Sequence, residues 1–316
     1  MSLFNRLKQY KFMHWAYNLL HYKSLSHNRD AYKKYNLQKP LVASVSSRDF
    51  PDKSSHAWLD VGDSRELAAS QPGFDLFSPD IKNQLLAWSQ QGFLVWKSFL
   101  DPSLADQVNA DIDALVRRGK LSPTHDHKLM FANRQSRIIS NITKDHRLLS
   151  LLSFILQKEV VPFQTINFIH GSNQRAHSDS IHMTTYPLGY LVAVWIALED
   201  TNMENGPLFY YPGSHRLPYL LNEDFYKEAH SLSLVKKEYT DYEDVLEKQV
   251  EQSEFKKEIF LARKGDLLVW HANLIHGGSP VMDPSQTRKS LVIHYYAKDV
   301  IKYHEFSERP SLLQPE

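Results

Sequence analysis

Apolar residues change their spacing partway along this chain, and the change divides it. Across residues 80–91, Ile81, Leu85 and Trp88 recur at helical intervals until Gly92 stops the pattern, because side chains three and four apart share one helix face. Residues 93–99 (FLVWKSF) then read as a strand. Leu104, Val108, Ile112, Leu115 and Val116 form the stripe of a second helix that ends at Gly119. From residue 160 onward the texture is different. VPFQTINFI, YLVAVWIAL, PLFYY, EIFLA, DLLVW and KSLVIHYY are short β-branched or aromatic runs separated by Gly, Pro and Asn, which predicts a mainly β core behind flanking N-terminal helices. One interruption, residues 222–258, holds eleven acids and six lysines and reads as a helical insertion between strands. Long insertions at such positions are often functional, so a lid over the barrel mouth is expected there. Residues 40–77, with Pro40, Pro51 and Pro72, read as an irregular connector. The pattern therefore divides the chain into an extension and connector over 1–77, one domain over 78–300 carrying the insertion, and a tail over 301–316.

Composition narrows the classes. The 316 residues match two average domains in length, or one barrel with additions. Lys plus Arg number 37 against 36 Asp plus Glu, so the chain has no basic excess of the kind that nucleic-acid binding requires. No cysteine is present, which excludes a disulfide scaffold, a thiol nucleophile, an iron–sulfur cluster and thiolate-bound zinc. Any metal must sit on nitrogen and oxygen. The longest apolar run, 191–198, is far short of the ~18 residues of a spanning helix, and no signal-peptide core is visible. A cytoplasmic protein is the expectation. Residues 1–40 have a separate character: eight Lys or Arg against Asp30 alone, mixed with Phe4, Leu7, Phe12, Trp15, Leu19 and Leu20. Such a basic amphipathic segment either packs on the domain's own surface or makes peripheral contact with an anionic membrane or partner.

The chemistry concentrates in two stretches. RAHSDSIHM, residues 175–183, reads as strand, and the period of two puts His177 and Asp179 on one face with Ser178 opposite. Among sixteen histidines an H-x-D alone is weak. GDLLVWHANLIHGGSP, residues 265–280, is sharper: a Gly-Asp turn launches a strand ending at His276, and Arg288 follows twelve residues later. Two histidines and one carboxylate on a small β-barrel, with one side open, are the facial triad that holds non-haem Fe(II) for oxygen chemistry. An arginine fork suits the far carboxylate of a dicarboxylate co-substrate.

The sequence resembles the phytanoyl-CoA dioxygenase family of Fe(II)/2-oxoglutarate-dependent oxygenases over residues 78–297, through "QQGFLVWKSFLDPSLADQV", "HSD", "VWIALEDTNMENGPLFYYPGSH", "LIHGGSP" and Arg288 in order. The resemblance implies a double-stranded β-helix, a cupin-like jelly roll, with His177, Asp179 and His276 as iron ligands and Arg288 as the 2-oxoglutarate clamp. It also puts Trp195 in the co-substrate pocket. It implies O2-dependent hydroxylation of a small-molecule or lipid-like substrate, with release of succinate and CO2. Halogenating relatives need the carboxylate position vacated, and Asp179 fills it. The family commonly has His-Gly-Ser, whereas here Gly278 precedes Ser279, which weakens a role for that serine. Gln164 and Asn167, in the strand before H-x-D, are further candidates to hydrogen-bond the co-substrate. His182 reads as a neighbour of the ligands, His271 as a wall histidine and His215 as a turn cap. Two alternatives stand beside this reading. A non-catalytic cupin-like binding protein would share the strands, and a zinc hydrolase would share the ligands but have no use for Arg288.

Overall fold

The computed structural model describes residues 11–53, 57–60, 62–124, 128–225 and 239–313. Its strands are β1 (Phe93–Trp96), β2 (Lys128–Met130), β3 (Val160–Phe168), β4 (Thr184–Tyr186), β5 (Leu191–Ala197), β6 (Leu208–Tyr210), β7 (Glu258–Phe260), β8 (Leu267–His271), β9 (His276–Gly278), β10 (Ser290–Ala297), β11 (Ile301–His304) and β12 (Arg309–Pro310). A six-stranded antiparallel sheet runs β1-β8-β5-β10-β3-β2, and two three-stranded sheets run β7-β6-β9 and β12-β11-β4. This is a double-stranded β-helix with helices against one wall.

The large sheet is covered on both faces, which is why its strands read as continuous apolar runs. Val192, Val194 and Ile196 of β5 face a helical layer, while Ala193, Trp195 and Ala197 face the barrel interior with Leu268, Trp270 and Val292. The helical layer includes Pro102–Arg117, whose stripe of Val108, Ile112 and Leu115 is buried as the spacing predicts. Asp101 caps it by accepting from the Ser103 N–H, and Pro102 occupies the first turn, where no partner for its nitrogen is needed. His146–Leu156 is capped in the same way by Asp145.

Four features depart from the sequence pattern. Residues 175–183 are not a strand: only His177 pairs, in an isolated bridge with His276, and Asp179–Ile181 is a turn of 3-10 helix. The amides of Ser180, His182 and Met183 go to Ala272 and Asp179 carbonyls instead of a ladder. Ser178 is extended (φ −111°, ψ 149°), so the alternation survives across the three residues that matter. Second, the strand that begins after Asp266 ends at His271, not His276. Leu274 N–H returns to the His271 carbonyl and Asn273 N–H to His271 Nδ1, turning the chain so that His276 opens β9 in another sheet. Third, residues 301–310 carry β11 and β12, paired to each other and to β4. Fourth, much of the N-terminal segment packs on that small sheet: Leu25, Ala31, Tyr32, Val45 and Phe50 share a core with Ile301 and Tyr303. The helix Lys11–Leu20 is seated by Asn18, which donates to the Val42 carbonyl, while Trp15, Leu19 and Leu20 are exposed. Residues 1–10 lie outside the described residues. No helix among the described residues is long and apolar enough to cross a membrane.

Candidate metal centre

His177, Asp179 and His276 arrive from two chain segments held together by the bridge between the two histidines, whose amides and carbonyls exchange hydrogen bonds at 2.9 Å. One ligand atom from each lies within 4.8 Å of the others, and all three residues are buried. His177 Nδ1–H donates to the Arg175 carbonyl at 3.0 Å, and His276 Nδ1–H to the Leu274 carbonyl at 2.9 Å. Assigned from this network, both Nε2 atoms carry lone pairs. They point at Asp179 Oδ1, 3.9 and 3.8 Å away. The other carboxylate oxygen, Oδ2, accepts from Trp270 Nε1–H at 2.8 Å, with His294 Nε2 at 3.5 Å. One oxygen is therefore tethered and the other presented.

Burial pushes the His177 imidazolium down to about 3, helped by the facing His276, so the ring is neutral. Burial alone would raise Asp179, but its neighbours His276 and His294, the latter through a side-chain hydrogen bond as well, outweigh it and hold its pKa below the usual carboxylate range. The Asp179 carboxylate and the two imidazole Nε2 atoms thus converge on one point. That arrangement repels itself unless a cation sits within it. The Gln174 amide takes part of that role, donating to His177 Nε2 at 3.1 Å, and Lys128 Nζ donates in turn to Gln174 Oε1 at 3.2 Å.

Arg288 is a second fit test. It is 2 % exposed, and among the described residues its Nε has no partner and its side chain makes one hydrogen bond, a 3.5 Å contact from Nη2 to the His170 carbonyl. Burial lowers its pKa to about 10, with no carboxylate offsetting the shift. Its guanidinium lies 5.6 Å from the Trp195 ring centroid and 5.5 Å from that of Phe168. A desolvated guanidinium between two aromatic faces lacks only an anion. The residues present therefore fit a dicarboxylate as well as a metal.

The structure brings together most of the residues expected at the site and separates one. Gln164 shares the barrel-facing side of β3 with Ile166 and Phe168 and sits opposite His294 in register. Asn167, one residue out of phase, faces the helical layer, where its register partners Leu129 and Leu291 are core residues. Three positions apart on a regular strand means opposite faces, so the two cannot serve one ligand. His271 also points away from the metal ligands: its Nε2–H donates to Asp60 Oδ2 at 2.7 Å beside a cavity of about 720 Å³ that His215 and Tyr219 also line. His182 stacks on Tyr239 at 4.8 Å and lies 5.2 Å from His304. Ser279 Oγ is buried without a partner. Sequence reasoning missed His294, Trp270, Gln174 and Lys128. His294 was findable, since it lies six residues after Arg288 in a run of period two.

Comparison with known proteins agrees with this geometry. The family model described as phytanoyl-CoA dioxygenase (PhyH) matches residues 88–290. An ectoine dioxygenase from Halomonas elongata is 24% identical across 87% of this chain and 97% of its own length. Two crystal structures share the fold. The non-heme alpha ketoglutarate dependent carbocyclase SnoK from nogalamycin biosynthesis has a TM-score of 0.59 at 14% identity, covering 77% of this chain and 96% of its own. EctD from S. alaskensis with 2-oxoglutarate and 5-hydroxyectoine has a TM-score of 0.56 at 17% identity, covering 80% of this chain and 86% of its own. With more than half of its length matched by the family model and the metal-binding geometry in place, this chain belongs to the phytanoyl-CoA dioxygenase family of Fe(II)/2-oxoglutarate-dependent oxygenases.

Proposed function

We propose that His177, Asp179 and His276 hold Fe(II), that Arg288 with Trp195 and Gln164 seats 2-oxoglutarate, and that the enzyme hydroxylates a small polar substrate. The observation that carries this reading is the convergence of the Asp179 carboxylate and two imidazole Nε2 atoms in a barrel that also holds a buried arginine, against Trp195 and Phe168, with no ion-pair partner among the described residues. When bound, iron and 2-oxoglutarate supply the oxidation, coupling decarboxylation to succinate with insertion of one oxygen atom of O2 into a substrate C–H bond. The chain's own work is placement. Trp270 fixes which Asp179 oxygen is offered, and the Arg175 and Leu274 carbonyls fix the histidine tautomers. Arg288 orients the co-substrate by its far carboxylate, and the apolar wall of Trp195, Phe168 and Val292 excludes water around it. His182, Tyr239 and His304 offer a polar aromatic surface for the substrate, and the Halomonas relative named ectoine dioxygenase favours a small polar molecule. The described helix Tyr239–Glu251 of the insertion is proposed to cover that surface; the expected lid over 222–258 otherwise falls partly on residues 226–238, which lie outside the described residues. A lipid-like substrate with membrane contact through residues 1–40 has only the exposed Trp15, Leu19 and Leu20 in its favour.

The test is succinate release by protein loaded anaerobically with Fe(II), after admission of O2, across a panel of small zwitterions, polyols and acyl thioesters. A zwitterion or polyol should stimulate release, and stimulation by acyl thioesters alone would refute the polar substrate. Arg288→Leu should leave iron bound and weaken 2-oxoglutarate by on the order of 2–4 kcal/mol, the loss of a bidentate charge-assisted pair in a dry pocket. Unchanged co-substrate affinity in that variant would remove Arg288 from the site.

A further inference from the structure

The acidic insertion has a described helix, Tyr239–Glu251, whose sequence YTDYEDVLEKQVE places Tyr242 and Leu246 on its buried side. Tyr242 is fully buried and belongs to a small cluster with Ile181, Leu220 and Ile275. Its hydroxyl accepts from the Ser178 N–H at 3.0 Å and lies 3.1 Å from Ser178 Oγ. Ser178 is the residue between the two metal ligands of the His-Ser-Asp stretch. Its hydroxyl continues to Ser180 Oγ at 2.7 Å, and Ser180 to Asn273 Oδ1 at 3.2 Å. The same helix takes a second hold three residues upstream of Ser178. Arg175 reaches Glu243 at 3.1 Å, Asp244 at 2.9 Å and Glu247 at 2.6 Å, and the Arg175 carbonyl is the acceptor that sets the His177 tautomer.

We infer that Tyr242 is a positioning residue for the metal ligands, so that docking of the insertion helix sets how well His177 and Asp179 converge. This rests on the ligand reading given above. The ladder that would normally fix an extended segment is missing here, because only His177 pairs. The Ser178 N–H donates to the Tyr242 hydroxyl of the helix instead, and the backbone angles that carry both ligands to one side depend on it. Arg175 adds a surface hold that is individually weak, as exposed ion pairs are, but shared among three acids. Partners that orient metal ligands typically change affinity by 10–100-fold when removed.

Tyr242→Phe keeps the ring and deletes the acceptor. In titrations of the full-length metal-free protein with Co(II), its dissociation constant should rise at least tenfold, with a changed visible d–d spectrum at saturation. Arg175→Met lies on the surface and tests the same coupling without touching the core; its dissociation constant should rise about threefold. Asp179→Ala, which should lose Co(II) altogether, separates the two readings. If Asp179→Ala binds Co(II) as the parent does, the ligand assignment itself fails. If Asp179→Ala loses the metal while Tyr242→Phe and Arg175→Met keep parental affinity and spectrum, whatever their melting temperatures, the helix is packing only and the positioning role is overturned.

Discussion

Two of the carboxylates buried in this protein, Glu305 and Asp179, are treated oppositely. Glu305 is 0 % exposed; its Oε2 accepts from the Ser47 N–H at 2.9 Å, and its Oε1 accepts from the Ser47 hydroxyl at 2.7 Å and the Asn222 N–H at 3.0 Å. Asp179 is 5 % exposed and accepts on one oxygen from Trp270, while the other faces two imidazole lone pairs. A buried acid surrounded by donors is a staple, since each lone pair has a proton to meet. A buried acid facing acceptors is a binding site awaiting a cation. Burial alone does not separate the two roles; the partners do. Glu305 also joins the N-terminal segment, the start of the insertion and the turn after β11 at a single carboxylate, so the segments divided in sequence at residues 77 and 300 close on one another.

The largest effect expected from this contrast is at the site. Asp179→Ala removes the only anionic ligand, so iron content and 2-oxoglutarate decarboxylation should both drop to background, a loss on the order of 10³ or more. The fold should hold, because the change relieves a cluster of facing acceptors. Ser178→Ala, made beside it, should keep the Tyr242 contact through its backbone and retain metal. Iron retained at parental content in Asp179→Ala would erase the distinction between the two acids.

Glu305→Gln comes next and acts on stability instead of chemistry. The new NH2 group meets donors from Ser47 or Asn222 and leaves at least one of them unsatisfied, at a cost on the order of 3–5 kcal/mol in unfolding free energy. Urea denaturation should show it, while metal affinity of the folded fraction stays at the parental value. A variant that lost metal affinity but not stability would reverse the roles assigned here.

How much of this was legible in sequence follows the same division. The His177, Asp179 and His276 triad was readable because an H-x-D and a later His before glycines are an uncommon combination, and the stripe of Val108, Ile112 and Leu115 because helical spacing is local. The strand switch before His276 was not. It depends on Asn273 N–H finding the His271 side chain, a contact no periodicity reports. Asn167 read as equivalent to Gln164 because both are polar positions in one strand, and only the register shows that they face apart. Tyr242 lies 64 residues from Ser178 and Glu305 lies 258 from Ser47. Partners that distant leave no pattern along the chain.

Lys302 sharpens the contrast from the cationic side. It is 2 % exposed, with Nζ donating to the Val300 carbonyl at 3.2 Å, and burial lowers its pKa to about 8, partly offset by Asp299. Its backbone is held by the N-terminal segment, where the Asn28 side chain donates to its carbonyl and accepts from its N–H, each at 3.0 Å. A base whose folded pKa is lowered is disfavoured while protonated; between about 8 and 10.5 the unfolded chain holds more protons, so this group's contribution to stability rises with pH through that window. Lys302→Met should therefore stabilise the protein at pH 7 by on the order of 2–3 kcal/mol, and the gain should shrink as pH approaches 10. Chemical denaturation of both proteins at pH 7, 8.5 and 10 checks it; a gain that grows with pH would show that the ammonium is well accommodated.

The smallest effect concerns Asn167, which no longer has a place at the site. Its side chain is 2 % exposed, and neither the amide nitrogen nor the oxygen has a hydrogen-bond partner. Leu129 and Leu291 flank it in register on the helical side of the sheet. If that is a purely structural position, replacing both unsatisfied atoms with methyl groups of similar volume should stabilise the fold, because no donor or acceptor is orphaned by the change. Asn167→Leu should gain about 1 kcal/mol in urea unfolding and leave the 2-oxoglutarate dissociation constant unchanged. By the rule drawn from Asp179, an unpartnered buried polar group can also signal a ligand. Affinity for 2-oxoglutarate lost in Asn167→Leu, with stability unimproved, would mean that β3 presents both of its polar residues to the site despite the alternation of its faces.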